Sequence, residues 1–293
     1  MKILLLGKNG QLGWELQRSL APLGELLALD RNSTTFCGDL SNLEGLAETV
    51  RVFKPNVVVN SAAYTAVDKA ESDAEMAHRV NALAPEVLSR ACAALGAYLV
   101  HYSTDYVFNG AGQKPWTETD STGPLNVYGH SKLAGEQGIA KQGAQHVIFR
   151  TSWVYGTEGG NFAKTMLRLA QEREKMTVIN DQFGAPTGAA LLADVTAMAL
   201  QASERLLGVY HLAAAGETTW FDYAAYVLAQ AKLRKPDLNM VVKEFLPVPT
   251  SEFPTPAQRP LNSRLNCSRL EAALQLKLPA WQTGVDQLLA KIL

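Results

Sequence analysis

Residues 2–13 read Lys2-Ile3-Leu4-Leu5-Leu6-Gly7-Lys8-Asn9-Gly10-Gln11-Leu12-Gly13. The apolar run 2–6 has the character of a parallel strand buried on both faces. It passes straight into a glycine-rich turn, beyond which Leu12, Leu16 and Leu20 share one helical stripe. Strand, glycine turn and helix in immediate succession open a dinucleotide-binding α/β fold. The glycines allow a tight turn and close backbone approach, and the helix N-terminus offers free N–H groups to a pyrophosphate. The spacing is GxxGxxG, which an ordinary strand-to-helix turn can also show. Residues 26–29 form the next apolar run and end in Asp30, where a carboxylate for the adenosine ribose is expected. The competing reading of Asp30 is a solvated strand-end residue. Arg31 follows and can meet a 2′-phosphate, so NAD and NADP both stay open.

Working outward, apolar runs at 2–6, 26–29, 57–60, 97–102 and 146–150 alternate with helical patterns at 11–20, 43–53, 73–95 and 128–141. That alternation predicts a doubly wound parallel sheet in residues 1–150. The helix near 76–95 carries Ala77, Val80, Ala84, Val87 and Leu88 on a broad apolar face suited to packing on the sheet. After 150 the pattern breaks. Helical stretches near 161–173 and 189–203 flank the loop Asp181-Gln182-Phe183-Gly184-Ala185-Pro186-Thr187-Gly188. The run Gly208-Val209-Tyr210-His211-Leu212 reads as a strand rejoining the sheet, so about 189–215 returns to the first lobe. A smaller mixed α/β substrate lobe is expected from 151–188 and 216–293. Prolines at 247, 249, 254, 256 and 260 exclude regular helix or a central strand there and point to a binding loop or an irregular crossover.

The chemistry concentrates in Asn126-Val127-Tyr128-Gly129-His130-Ser131-Lys132. Tyr128 and Lys132 are four apart, so on a helix they share a face. A free tyrosine has a pKa of roughly 10, and a fixed positive charge nearby favours the phenolate. The expectation is a tyrosine tuned for proton transfer, against the plainer reading of a surface lysine beside a half-buried ring. Residues 99–108 add a strand whose C-terminal end bears Ser103 and Thr104, in the crevice where open parallel sheets bind ligands. Either hydroxyl could bond a substrate oxygen beside Tyr128, or simply satisfy turn backbone.

With 27 basic and 28 acidic residues, the net charge of -1 gives no electrostatic case for nucleic acid or a membrane surface. No apolar run approaches the ~20 residues of a membrane span. Lys2, a short strand and glycines do not make a signal peptide, and Cys37, Cys92 and Cys267 are odd in number and far apart. A reducing cytoplasm is the expectation. The histidines (78, 101, 130, 146, 211) show no metal-ligand spacing, and His101 and His211 read as core or strand-end residues.

At these residues the chain resembles the extended short-chain dehydrogenase/reductase superfamily, in its branch acting on nucleotide sugars. The likeness runs over essentially the whole chain, through residues 60–71, 102–108, 126–136, 150–156, 180–188 and 259–265. It implies reduction of the 4-keto group of a dTDP-linked 6-deoxyhexose, dTDP-4-dehydro-L-rhamnose, by NADPH or NADH. It further implies a pyrophosphate loop of Gly7, Gly10, Gln11, Leu12 and Gly13, with Asp30 and Arg31 at the adenosine ribose and Asp39 and Leu40 beside the adenine. Ala62, Ala63, Tyr64 and Tyr102 would line the rest of the cofactor. Thr104 matches the family's catalytic hydroxyl, Tyr128 its proton donor and Lys132 its ribose-binding and tuning residue. Thr104, Asp105 and Trp153 match positions that touch the sugar nucleotide. Arg259 meets a nucleotide diphosphate or pairs with a surface carboxylate. Two other readings stand beside reduction: a nucleotide-sugar epimerase or dehydratase, with Asp105 as an added acid or base, and a non-catalytic subunit like the partner of methionine adenosyltransferase. Some such reductases resemble dimers linked by Mg²⁺. Here Glu15, off the leucine stripe and expected to be exposed, occupies one ligand position, but Ala190 stands where a glutamate is expected. A monomer or weak homodimer, with Glu15 and Asp194 as the place for any hydrated Mg²⁺, is the expectation.

Overall fold

The computed structural model describes all residues, 1–293. Its six-stranded sheet is built from β1 (Lys2–Leu6), β2 (Glu25–Leu29), β3 (Val57–Asn60), β4 (Tyr98–Thr104), β5 (His146–Thr151) and β6 (Gly208–His211). Every pairing is parallel, in the order β2-β1-β3-β4-β5-β6. The fold class is that expected from the strand–helix alternation. Chain order reverses between β1 and β3, which opens a crevice at their carboxyl ends.

Helices cover both faces, which is why these strands read as continuous apolar runs. Ile3, Leu5, Val57, Val59, Val100 and Phe149 pack against helices Gln11–Leu20 and Ala189–Gln201. Leu4, Leu6, Val58, Leu99 and Ile148 face helices Leu43–Phe53, Ala84–Leu95 and Val127–Lys141. Truncating a fully buried member such as Leu4 to alanine costs about 2–5 kcal/mol. The helix expected over 73–95 forms in three parts: Ala74–His78, a π-helical turn at Arg79–Leu83, and Ala84–Leu95. The wide turn swings Asn81 inward, where its amide holds both backbone groups of Tyr64 at 2.8 and 3.0 Å.

A second cluster gathers helices Phe162–Glu172, Trp220–Arg234 and Trp281–Ile292 with strand Lys175–Ile179. Leu270 and Leu278 instead pack with the sheet, so the C-terminal stretch visits both clusters. Pro247 lies in strand Glu244–Val248, which pairs only with Lys175–Ile179 in a two-stranded ribbon. A ribbon with an open side tolerates the missing N–H.

Candidate active site

The glycine turn has the shape of a phosphate cradle. Gly7 has φ +91°, and a Cβ there would lie 2.8 Å from the Ala62 amide nitrogen. A Cβ on Gly13 would meet the Gly7 carbonyl oxygen at 1.9 Å. Any side chain at either position would wedge β1, β3 and the helix apart. Gly10 caps that helix in extended conformation without a side-chain cap, so first-turn N–H groups face the crevice unpaired. These residues fit a dinucleotide pyrophosphate. The Gln11 side chain turns away instead: its Oε1 accepts from Gly156 N at 2.7 Å and joins the cradle to the second lobe.

At the end of β2 the Asp30 carboxylate accepts from Asn32 N and Ser33 Oγ, each at 3.0 Å, and from the Asn9 amide. Arg31 beside it is exposed and unpaired. The Asp39 carboxylate is taken up by the Ser41 hydroxyl and N–H, and Leu40 is buried. Ala62, Ala63 and Tyr64 follow β3 at the crevice, with the Tyr64 hydroxyl donating to Asp73 at 3.0 Å. The Tyr102 ring lies in the sheet's core with its hydroxyl 2.6 Å from Thr196 Oγ1. What Tyr102 offers the site is its carbonyl.

Helix Val127–Lys141 carries Tyr128 and Lys132 onto this crevice. Asn126 caps it, its side-chain oxygen accepting from Gly129 N at 2.8 Å. Small residues let the helix press inward: a Cβ on Gly129 would lie 2.3 Å from the Tyr106 carbonyl, and one on Gly135 2.1 Å from that of Asn81. Lys132 is buried, donating to the Tyr102 carbonyl at 2.6 Å and lying 3.3 Å from His101 Nε2. Burial lowers its pKa to about 8, with Glu136 acting to raise it. Glu136 is itself forked to Arg150, with contacts of 2.6 to 3.2 Å, in a buried ion pair.

The Tyr128 phenol does not behave as its spacing suggested. Burial pushes it up to about 12; a hydrogen bond with Thr104 pulls it down and Asp105 pushes it up. The Lys132 ammonium is turned to the Tyr102 carbonyl, and burial dominates at Tyr128. Thr104 Oγ1 donates to Asp105 Oδ1 at 3.1 Å and accepts from Tyr106 N at 3.2 Å. Burial raises the Asp105 carboxyl to about 7 against hydrogen bonds from Ser263 and Thr104, and its Oδ2 has no partner.

Two residues past the carboxyl end of β5, Trp153 has a left-handed backbone, φ +49°, and its ring stacks on Trp220 with centroids 3.7 Å apart. Gly184 lies beneath it, where a Cβ would touch the indole at 2.7 Å. Trp220 Nε1 donates to Gln182 Oε1 at 3.1 Å. Trp220, Gln182 and Asn81 escape a reading of the sequence because nothing local marks them; only the tertiary fold brings them to the cleft. Arg259 makes a two-pronged pair with Asp68, at 2.9 and 2.7 Å, so in this state it is engaged by a carboxylate.

Glu15 departs from expectation. It is 6% exposed, because helix Ala189–Gln201 packs along a second face of its own helix. Arg18 bonds Glu15 at 3.2 Å and Asp194 at 2.8 Å, placing a guanidinium between the two carboxylates. No group of three His, Cys, Asp or Glu side chains is placed to hold a metal ion. Within this chain a guanidinium, and not the near-octahedral oxygen set that Mg²⁺ needs, lies between the two carboxylates.

A dinucleotide cradle facing a phenol–ammonium pair across one crevice suits hydride transfer coupled to proton transfer, and places the fold among the extended short-chain dehydrogenases/reductases. The chain belongs to the family described as RmlD substrate binding domain, whose model matches residues 1–293. It is 56% identical over 295 residues to dTDP-4-dehydrorhamnose reductase of Escherichia coli K12, covering 100% of this chain and 98% of that one. The dTDP-4-dehydrorhamnose reductase structure from Clostridium acetobutylicum superposes with a TM-score of 0.91 at 35% identity, covering 100% and 99% of the two chains. That from Bacillus anthracis, in complex with NADP, gives 0.90 at 36% identity over 99% and 100%. No helix is long and apolar enough to cross a membrane.

Proposed function

We propose that this protein reduces the 4-keto group of dTDP-4-dehydro-L-rhamnose to dTDP-L-rhamnose, with Tyr128 as proton donor. Bound NADPH, or NADH, supplies the hydride. The observation that carries the reading is the placement of Thr104, Tyr128 and Lys132 at the sheet's carboxyl edge, beside a glycine cradle that no side chain could share. Negative charge growing on the ketone oxygen has to be met as it forms. The Tyr128 hydroxyl delivers its proton there, and Thr104 supplies the second hydrogen bond by turning its one hydroxyl proton from Asp105 to the ketone oxygen. A resting phenol pushed up to about 12 is fully protonated near neutrality, the state a donor needs. Lys132 donates to the Tyr102 carbonyl and keeps donor capacity for the nicotinamide ribose. Trp153 and Trp220 form the apolar wall against which the sugar nucleotide packs.

With Arg18 holding Glu15 and Asp194, the protein works as a monomer or weak dimer without Mg²⁺. Light scattering should be unchanged by EDTA; a dimer that dissociates on chelation would contradict this. The function is tested by adding the 4-keto sugar nucleotide to the protein with NADPH. Stoichiometric NADPH oxidation is expected. Conversion of the sugar with NADPH retained would support an epimerase instead.

A further inference from the structure

His101 is buried at 1% exposure in the centre of β4, flanked in register by Asn60 of β3 and Ile148 of β5. A histidine there needs only apolar neighbours to be a packing residue, yet both ring nitrogens have polar ones. Nε2 lies 3.3 Å from Lys132 Nζ, and Nδ1 lies 3.2 Å from the Asn60 side-chain amide. Burial and the nearby Lys132 and His146 hold the imidazole well below its ordinary pKa, so it is neutral and carries one proton.

Which nitrogen carries that proton follows from the neighbours. A protonated lysine has only donors, so Nε2 must present its lone pair and the proton sits on Nδ1. Nδ1–H then needs an acceptor. As placed, the Asn60 amide turns its nitrogen to the ring and leaves Oδ1 buried without a partner. Rotating the amide by half a turn, a change of orientation and not of shape, sets Oδ1 against Nδ1–H.

We infer that Asn60 and His101 form a positioning pair for Lys132, with Asn60 Oδ1 fixing the Nδ1–H tautomer and His101 Nε2 accepting one ammonium proton. The Tyr102 carbonyl accepts a second at 2.6 Å. Two of three ammonium protons are thereby held from β4, and the third is left for the cleft. Neither residue touches the reacting atoms. Asn60 is 1% exposed, so the chain ends in the sheet and gives a proton no exit. Its role is to hold a charge in place, and the catalytic consequence rests on the reductase reading given above.

The test is long-range ¹⁵N–¹H correlation spectroscopy of the full-length, ¹⁵N-histidine-labelled protein near pH 7, with His101 assigned by its loss in His101→Gln. A pyridine-type Nε2 and a protonated Nδ1 are expected. A protonated Nε2, or an imidazolium, would overturn the inference whether or not the protein reduces the sugar. Kinetics give a second arm. His101→Leu removes the acceptor and should lower kcat by roughly 10- to 100-fold, the scale of a misplaced catalytic group. His101→Gln keeps an acceptor within reach of Lys132 and should stay within a few fold of wild type. Equal losses in the two variants at equal melting temperature would reduce His101 to packing.

Discussion

Helix Val127–Lys141 and the aromatic pair Trp153–Trp220 are built on opposite plans. The helix places Tyr128 and Lys132 by one turn of local geometry and is tied to the sheet twice, by Lys132 on the Tyr102 carbonyl of β4 and by Glu136 on Arg150 of β5, while its glycines press against the Tyr106 and Asn81 carbonyls. The wall assembles Trp153, Gln182, Gly184 and Trp220 from separated segments, with Gln182 reaching on to Thr250 at 3.1 Å. The helix is thus fixed by the sheet, and the wall by its own side chains. On the proposed function, chemistry rests on the side fixed by the sheet and substrate recognition on the side that can be altered without disturbing it.

The largest effect belongs to the helix. Tyr128→Phe should lower turnover by roughly 10²–10⁴-fold, the range for losing a general acid, with NADPH affinity nearly unchanged. Unaltered turnover would remove Tyr128 from the proton step. On the wall, Trp220→Ala should act on KM for the sugar nucleotide and leave NADPH binding alone. It removes the ring stacked on Trp153, so stability should fall by about 2 kcal/mol. If instead kcat fell as far as in Tyr128→Phe, the division between the two sides would fail.

That division also explains what could be read in advance. The strands, the glycine turn and the Tyr128–Lys132 pair are local patterns, legible from spacing because both sheet faces are covered and each strand stays apolar throughout. Glu15 was misread for the same reason: one stripe, Leu12, Leu16 and Leu20, marks one buried face, and nothing in the helix announces that Ala189–Gln201 covers a second. Spacing sets Tyr128 and Lys132 on one helix, as the structure has them, but says nothing of the balance between them, since burial outweighs charge only once Tyr102 has claimed the ammonium. His101 read as a core residue and is one; its contact with Lys132 lies across thirty-one positions of chain.

A smaller effect follows from Lys132. With its pKa lowered to about 8 from 10.5, the folded protein releases this proton before the unfolded chain does. The unfolded state then binds more protons between those values, so this group's contribution to stability rises with pH from about 8 towards 10.5. Turnover should move the other way, falling above about 8 as the ammonium loses its charge. A rate that stays flat to pH 10 would detach Lys132's charge from catalysis. The smallest effect lies at the cradle's rim. Arg31→Ala should weaken NADPH by roughly tenfold, one charge-assisted pair, and leave NADH unchanged. Equal losses for both cofactors would show that Arg31 does not read the 2′-phosphate.

The central claim is that a hydride from the cradle reaches the sugar ketone. Supplying NADPH carrying two deuterons at the nicotinamide C4, together with dTDP-4-dehydro-L-rhamnose, tests it in one spectrum. One deuteron per turnover is expected at C4 of dTDP-L-rhamnose, with the cofactor oxidised in equal amount. A product without deuterium, or a cofactor unchanged while the sugar is converted, would contradict the account.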